Sequence, residues 1–192
     1  MIGSLAAFKT RLDISDANDD SVLLAILEAV SGVVRDYCGR DFEVTAAGTA
    51  RVFTAEAGDW CEIDDVVAVT AVKTNETSST ESYDTTWAST DYILMPQNDT
   101  PKRWIRTKAG GKYGFPTYGD GVQVTGTWGY SLEPPAPVVE AVYNEAARIF
   151  AQAESPSGVV ASAELGQWLV MPSLHPTTRI LLNPYRRMGV TA

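Results

Sequence analysis

The clearest pattern in the chain is an apolar repeat at helical spacing between Asp20 and Gly39. Its apolar positions recur every three or four residues, which is typical of a helix with one buried face. They are Leu23, Ile26, Leu27, Val30, Val34 and Tyr37. Asp19 or Asp20 is placed to cap the first turn, and Gly39 can take the left-handed conformation that ends the last one. We therefore predict one capped amphipathic helix here.

A line of small residues follows one flank of this helix. Ala25, Ala29 and Gly32 lead towards Asp36. A glycine inside a helix costs about 1 kcal/mol relative to alanine, so Gly32 indicates that something packs closely there. The neighbour is either another helix of this chain or a second copy of it.

Three further helices are predicted outside this stretch. Ser4 can cap a short helix that begins at Leu5 and ends at Leu12. A longer helix from Pro137 to about Glu154 has an apolar face that suits the Asp20–Gly39 helix as a packing partner. A last short helix covers Pro176 to Asn183, where Pro184 ends it.

Between the helices the pattern changes to alternating apolar and polar positions, which indicates β-strands. The predicted strands are Ala50–Thr54, Trp60–Ile63, Val66–Lys73, Tyr92–Met95, Arg103–Thr107 and Val122–Trp128. Thr74–Thr86 is rich in Ser, Thr and Glu and is predicted as a mobile loop or hairpin tip. We predict a single domain of α+β class. Antiparallel helices from both ends of the chain form a small bundle (1–43 and 134–192), and an antiparallel β unit (about 44–133) is inserted into it.

Composition excludes several classes of function. The chain has 192 residues and a net charge of −9, which opposes nucleic-acid binding by counterion release. No stretch approaches the roughly 20 apolar residues of a membrane span. Cys38 and Cys61 have no metal-binding spacing and are most simply reduced thiols in a cytoplasm.

Catalytic signatures are also missing from the sequence. The single histidine, His175, directly precedes Pro176, where a capping role is far more common than general-base chemistry. Nucleophile-elbow, zinc-protease and paired-cysteine motifs are absent. We therefore expect no enzyme activity, no metal and no cofactor. Four cations near Trp104 could bind single-stranded nucleic acid by stacking, but a solvated strand face explains them better on an acidic protein. They are Arg103, Arg106, Lys108 and Lys112.

Three separate segments resemble the head–tail connector (adaptor) family of tailed bacteriophages. The opening LAAFKTRLDISDANDDSVLLAILEAVSGVVRDYCGRDF is similar to the start of that family. VTGTWGYSLEPPAPVVEAVYNEAARIFAQ resembles its strand and following helix, and TTRILLNPYRRMG resembles its ending. The matching residues are Lys9, Leu12, Asp19, Asp20, Leu23, Tyr37, Gly39, Arg40, Phe42, Gly129, Tyr130, Pro134, Val138, Ala146, Leu181, Leu182, Pro184, Tyr185, Arg186 and Arg187. Together the segments cover somewhat under half of the chain.

The resemblance implies a structural virion protein at the neck, assembled in the host cytoplasm. It implies a homo-oligomeric ring, of twelve subunits, beneath the portal protein. DNA would pass through the lumen without sequence-specific binding, and a tail or stopper protein would bind below. On this hypothesis the subunit interface includes Ala25, Ala29, Gly32 and Asp36. The portal-binding segment is Asn183, Pro184, Tyr185, Arg186 and Arg187. An equally good interpretation is that this segment only packs on its own subunit.

Two other functions stay open at this point. A tail-completion or tail-terminator protein would also form a ring in the neck, usually one built on β-sheets. A carbohydrate- or ligand-binding β module would instead use aromatic residues as a platform, although aromatics on strands are more often core. Its platform would be Trp60, Trp87, Trp104 and Trp128.

Overall fold

The computed structural model describes residues 1–76, 82–153 and 174–187. These residues contain four α-helices and a six-stranded antiparallel sheet, which confirms the α+β class. The chain divides into two compact units. One unit combines Met1–Arg40 with Pro134–Ala192 and holds the helices, and the other is Asp41–Glu133 and holds the sheet.

The helices lie close to their predicted positions. They are α1 (Leu5–Leu12), α2 (Asp20–Cys38), α3 (Ala136–Ala153) and α4 (Pro176–Leu182), with a 3-10 turn at Asn183–Tyr185. Ser4 caps α1 by accepting a hydrogen bond from the Ala7 N–H, and Gly39 ends α2 in the left-handed conformation, both as predicted. The predicted carboxylate cap of α2 is wrong: Asp19 makes no capping bond, and Lys9 instead binds the Asp20 carboxylate at 2.5 Å.

The core of the helical unit lies where α2 packs against α3. Leu23, Leu27 and Val34 of α2 are completely buried, as the helical repeat predicts. The buried side of α3 includes Val142 and Ala146, which are also fully shielded from solvent. Burying each such aliphatic side chain contributes about 1.5–3 kcal/mol, so this contact supplies much of the stability of the unit.

The sheet unit contains six strands joined only by antiparallel pairing. They are β1 (Thr49–Phe53), β2 (Trp60–Thr74), β3 (Thr85–Trp87), β4 (Tyr92–Met95), β5 (Lys102–Thr107) and β6 (Val122–Trp128). Their order across the sheet is β1-β6-β2-β5-β4, and β3 pairs with β2 away from this path. The sequence did not predict β3, which overlaps the end of the Thr74–Thr86 stretch interpreted as a loop or hairpin tip. Residues 77–81 of that stretch lie outside the described residues.

Strand β2 is one element of 15 residues, although the sequence predicted two strands separated at Asp64 and Asp65. Asp64 and Asp65 both lie within this strand and have partners elsewhere in the chain. Arg51 of β1 pairs with Asp64 at 2.6 Å, and the Asp65 carbonyl accepts the Gly129 N–H. Its pairing has three shifts of register, one against β5 and two against β6, of the kind that a β-bulge makes.

Two tryptophans fill the core of the sheet unit. Trp87 and Trp128 are 3% and 1% exposed, and each indole N–H has an acceptor. Trp87 donates to Thr74 Oγ1 at 2.9 Å, and Trp128 donates to the Thr49 carbonyl at 2.8 Å. Trp87 also stacks on Phe115, with ring centroids 4.5 Å apart. These rings therefore bury large apolar areas without leaving a donor unpaired.

Gly126 provides a test of the sheet packing. A Cβ at this position would lie 2.4 Å from the Ala68 carbonyl oxygen on the neighbouring strand β2. We expect Gly126→Ala to lower the free energy of unfolding by about 1–3 kcal/mol because the backbone must shift. Urea denaturation measures this loss. Gly119→Ala is the control, since no described atom lies within 4 Å of its Cβ position, and a similar loss there would contradict the assignment.

Candidate interaction surfaces

An apolar stripe on α2 faces away from the core of the helical unit. Val22 and Val33 are 47% and 41% exposed, and Ala25 and Ala29 between them are also exposed. Isolated apolar side chains on a surface are ordinary, but a contiguous row marks a site of association. We call this row the α2 stripe. It consists of Val22, Ala25, Ile26, Ala29, Gly32, Val33 and Asp36.

Gly32 lies at the side of the stripe with open space around it. No atom of the described residues outside the local helix backbone lies within 4 Å of a Cβ built there. The interpretation that another described helix of this chain packs closely on Gly32 is therefore wrong. The other interpretation, contact with a neighbouring copy, stays a prediction, as does the interface role of Ala25, Ala29 and Asp36.

The stripe forms one wall of a shallow groove between α2 and α3. The groove has a volume of about 420 Å³, and Ile149 of α3 lines its other side. The lining from α2 is Ser21, Val22, Ala25, Ile26 and Ala29. All of these side chains are small or apolar, so the groove suits an apolar protein surface better than a charged ligand.

The C-terminal segment Asn183–Arg187 lies against the end of α2. The Tyr37 hydroxyl donates to Asn183 Oδ1 at 2.8 Å, and the Arg187 N–H donates to the Cys38 carbonyl at 2.7 Å. The second bond satisfies one of the carbonyls that a helix end leaves without an intrahelical partner. The segment is therefore packed on its own subunit, while Pro184 is exposed.

Arg186 adds an electrostatic contact at the same place. Its guanidinium carbon lies 4.9 Å from the centre of the Tyr37 ring. A cation near a helix C-terminus interacts favourably with the helix dipole, by about 0.3–1 kcal/mol. The side chain is exposed in spite of this contact. Packing on the subunit and binding of a partner are thus compatible, and the portal-binding role of this segment stays a prediction.

A buried carboxylate, which sequence reasoning missed, fixes α4 on α3. Glu145 is only 2% exposed. It pairs with Arg148 and accepts hydrogen bonds from the His175 N–H at 3.3 Å and from Thr178 Oγ1 at 3.1 Å. Burial alone would raise the pKa of Glu145, but the bonds from Arg148 and His175 lower it below its ordinary value. The sequence did contain a signal for this buried ion pair: Glu145 is a carboxylate on the apolar side of α3, and Arg148 follows it three residues later.

The described polar groups include His175, for which the sequence predicted a capping role. His175 caps α4, because its Nδ1 accepts the Thr177 N–H at 3.3 Å, and this confirms the predicted capping role. Within the described ranges there is no group of three or more His, Cys, Asp or Glu side chains that could hold a metal ion. The helices described here include none with the length and apolar character needed to cross a membrane.

The structure divides the four tryptophans proposed as a carbohydrate platform. Trp87 and Trp128 belong to the core, so a platform of all four is wrong. Trp60, which is 36% exposed, and Trp104 remain at the surface. Arg103, one of the nearby cations, already has a partner within the chain, since its guanidinium lies 4.7 Å from the centre of the Trp104 ring.

Glu145 gives a prediction with a defined pH dependence. We expect Glu145→Gln to lower the free energy of unfolding of the helical unit by about 1–3 kcal/mol at pH 7, because it removes the buried negative charge that accepts hydrogen bonds from Arg148, His175 and Thr178. The pKa of Glu145 is depressed in the folded state, so its contribution is complete above about pH 4.3 and is lost as the pH falls further. Thermal denaturation from pH 7 to pH 3 should show that the difference in stability between the variant and the parent protein becomes smaller as the pH falls.

Glu140→Gln is the matched control for this experiment. Glu140 also has a depressed pKa through its hydrogen bond from Arg11, but its side chain is 45% exposed. Exposed pairs contribute only about 0–1 kcal/mol, so this change should be nearly silent. Equal effects of the two substitutions, or a gap for Glu145→Gln that does not depend on pH, would contradict the assigned role.

Comparison with known proteins gives similarity of structure only. No family model matches the chain, and no curated protein matches it in sequence.

A chain in the neck of an empty gene transfer agent (GTA) particle, computed with C6 symmetry, superposes with a TM-score of 0.63 at 21% identity. The alignment covers 98% of this chain and 91% of that chain. A chain in the virion of a native GTA particle gives the same values. A chain in the neck of a native GTA particle, computed with C12 symmetry, gives 0.60 at 21% identity, over 97% and 89% of the two chains. The protein therefore has the fold of a chain found in the neck of gene transfer agent particles.

Proposed function

We propose that this protein is a non-enzymatic structural component of a virion neck. The observation that carries the proposal is the likeness to GTA neck chains, which extends over 98% of this chain. A likeness of that extent includes both the helical and the sheet units, and it is therefore not a match to a common motif alone. The exposed α2 stripe supports the proposal independently, because an assembly protein needs apolar surface for its neighbours.

Within the neck, the proposed role is a head–tail connector, or adaptor, ring beneath the portal. The helical frame (1–43 and 134–192), a bundle of antiparallel helices, forms the ring and carries the β insertion (about 44–133). Twelve subunits fit the C12 symmetry with which one of the similar particle necks was computed. A net charge of −9 suits a lumen through which DNA passes without adhering. The protein is assembled in the host cytoplasm, and a tail or stopper protein binds the other side of the ring.

The α2 stripe is the proposed contact between neighbouring subunits. Its small residues allow a neighbour to approach the helix closely, and Asp36 adds a charge at one end. The Asn183–Arg187 segment is the proposed contact with the portal, through its exposed side chains. Arg186 and Pro184 are exposed there, and Tyr37 and Cys38 hold the rest of the segment in place.

A tail-terminator role is the second candidate, and the six-stranded sheet favours it because such rings are usually built on sheets. The two roles predict different positions along the neck. Electron microscopy of particles labelled on this chain decides between them. Density directly against the portal supports the connector, and density at the tail end of the neck supports the terminator.

Gly32 tests the subunit contact. We expect Gly32→Leu to prevent closed rings, because the added side chain occupies the space reserved for the neighbour. The monomer should fold normally, since that space is open within the described chain. Negative-stain images of the protein with its portal measure ring formation, and thermal denaturation measures folding. Gly32→Ala is the matched control and should stabilise α2 by about 0.5–1 kcal/mol. An unfolded Gly32→Leu monomer, or normal rings, would contradict the contact.

Arg186 tests the portal contact separately. We expect Arg186→Glu to weaken co-purification with the portal at least tenfold, because the charge of an exposed arginine at the contact is reversed. Ring formation should persist. Lys73→Glu makes the same change of charge at a half-buried position on β2 in the sheet unit and should leave binding intact. Equal binding by both variants would show that the segment only packs on its own subunit.

A further inference from the structure

The outer face of one end of the sheet carries a second group of partly exposed apolar side chains. In the register of the sheet, Arg106 of β5 is opposite Trp60 of β2 and Ile93 of β4. One step along, Trp104 is opposite both Glu62 and Met95. Residues directly opposite each other, and those two apart on one strand, point to the same side of a sheet. We call this group the outer patch. It consists of Trp60, Glu62, Ile93, Met95, Trp104 and Arg106.

The other side of the same strands shows that the outer patch does not belong to the core. Cys61 and Ile105, which alternate with the patch residues, are completely buried. Trp60 and Arg106 are exposed, and the other members of the patch are half-buried. Two tryptophans, an isoleucine, a methionine and an arginine on one face is a composition typical of a protein–protein interface. Both the composition and the exposure of the outer patch are therefore those of a protein-binding surface.

Charge indicates which kind of protein binds there. Residues 56–65, which include the start of β2 and Glu62, contain five Asp or Glu and no Lys or Arg. Residues 100–119, which include β5, contain five Lys or Arg and no Asp or Glu. The α2 segment has the opposite balance: Asp19, Asp20, Glu28 and Asp36 accompany a single cation, Arg35. Complementary potentials of this kind favour docking of one surface on the other. An acidic helix with an apolar stripe can therefore dock on the outer patch from the β5 side, where Arg106 is exposed.

Symmetry then limits how the two surfaces can meet. Subunits of a ring with more than two members contact each other through two different surfaces, one on each side. Two α2 stripes facing each other would pair like charges and would close a dimer. We propose that the α2 stripe of one subunit packs against the outer patch of the next subunit in the ring, with Asp36 and Arg106 of opposite charge across the contact. This inference rests on the proposed ring and identifies the second half of its interface.

Disulfide cross-linking tests the contact directly in the full chain. The native thiols do not interfere, because Cys38 and Cys61 are 1% and 0% exposed and burial raises their pKa values to about 11 and about 12. The test variant carries Ala29→Cys in the stripe and Ile93→Cys in the patch. Mild oxidation should link successive subunits into a ladder of multimers beyond the dimer on a non-reducing gel. Each single variant should stop at a dimer.

A matched pair controls for collision between flexible subunits. It combines Ala29→Cys with Val52→Cys, since Val52 is 46% exposed on β1 at the opposite edge of the sheet. If the first pair fails to fold by circular dichroism, Ala25→Cys with Met95→Cys replaces it. Closed rings in electron micrographs together with no ladder, or with equal ladders from both pairs, would overturn this contact and leave the ring intact. Neither rings nor ladders would refute the ring as well.

Discussion

Packing of α2 on α3 is the contact on which the helical unit depends. The two helices come from opposite sides of a long intervening segment, so their apolar faces meet only after the chain has returned from the sheet unit. Closing a loop of that length costs entropy, and the cost grows only slowly with length. Burial of Leu23, Leu27, Val142 and similar side chains offsets it. The groove and the stripe exist because this packing uses one side of α2 and leaves the other exposed.

Much of this fold is predictable because its local signals agree with the global structure. The apolar repeat of α2, the Ser4 cap and the alternation in β6 each require one conformation, and each element lies where the pattern indicates. The failures have a common cause. The predicted strand break at Asp64 and Asp65 is wrong, and Glu145 was overlooked, because the partners of these residues come from other parts of the sequence. A pattern along one strand or helix cannot reveal an arginine or an N–H supplied by another element.

The candidate surfaces are less predictable than the core for a related reason. Small residues on a helix flank indicate that something approaches, but not whether it is the same chain or another. Only the open space beside Gly32 excludes close packing by another helix of the described chain. The outer patch was not visible in the sequence because its members come from three strands, and the pairing of Trp60 with Arg106 and of Trp104 with Met95 depends on the register. Both surfaces are apolar. The α2 stripe ends in Asp36, and the outer patch carries both Arg106 and Glu62.

The two cysteines divide between the two units, Cys38 at the end of α2 and Cys61 in β2. Each is almost completely shielded, so a thiol reagent can reach either one only when its own part of the structure opens. The chain therefore contains one built-in reporter of local opening for each unit. Comparing the labelling rates of the two thiols gives the relative opening frequencies of the helical and the sheet units without any added probe.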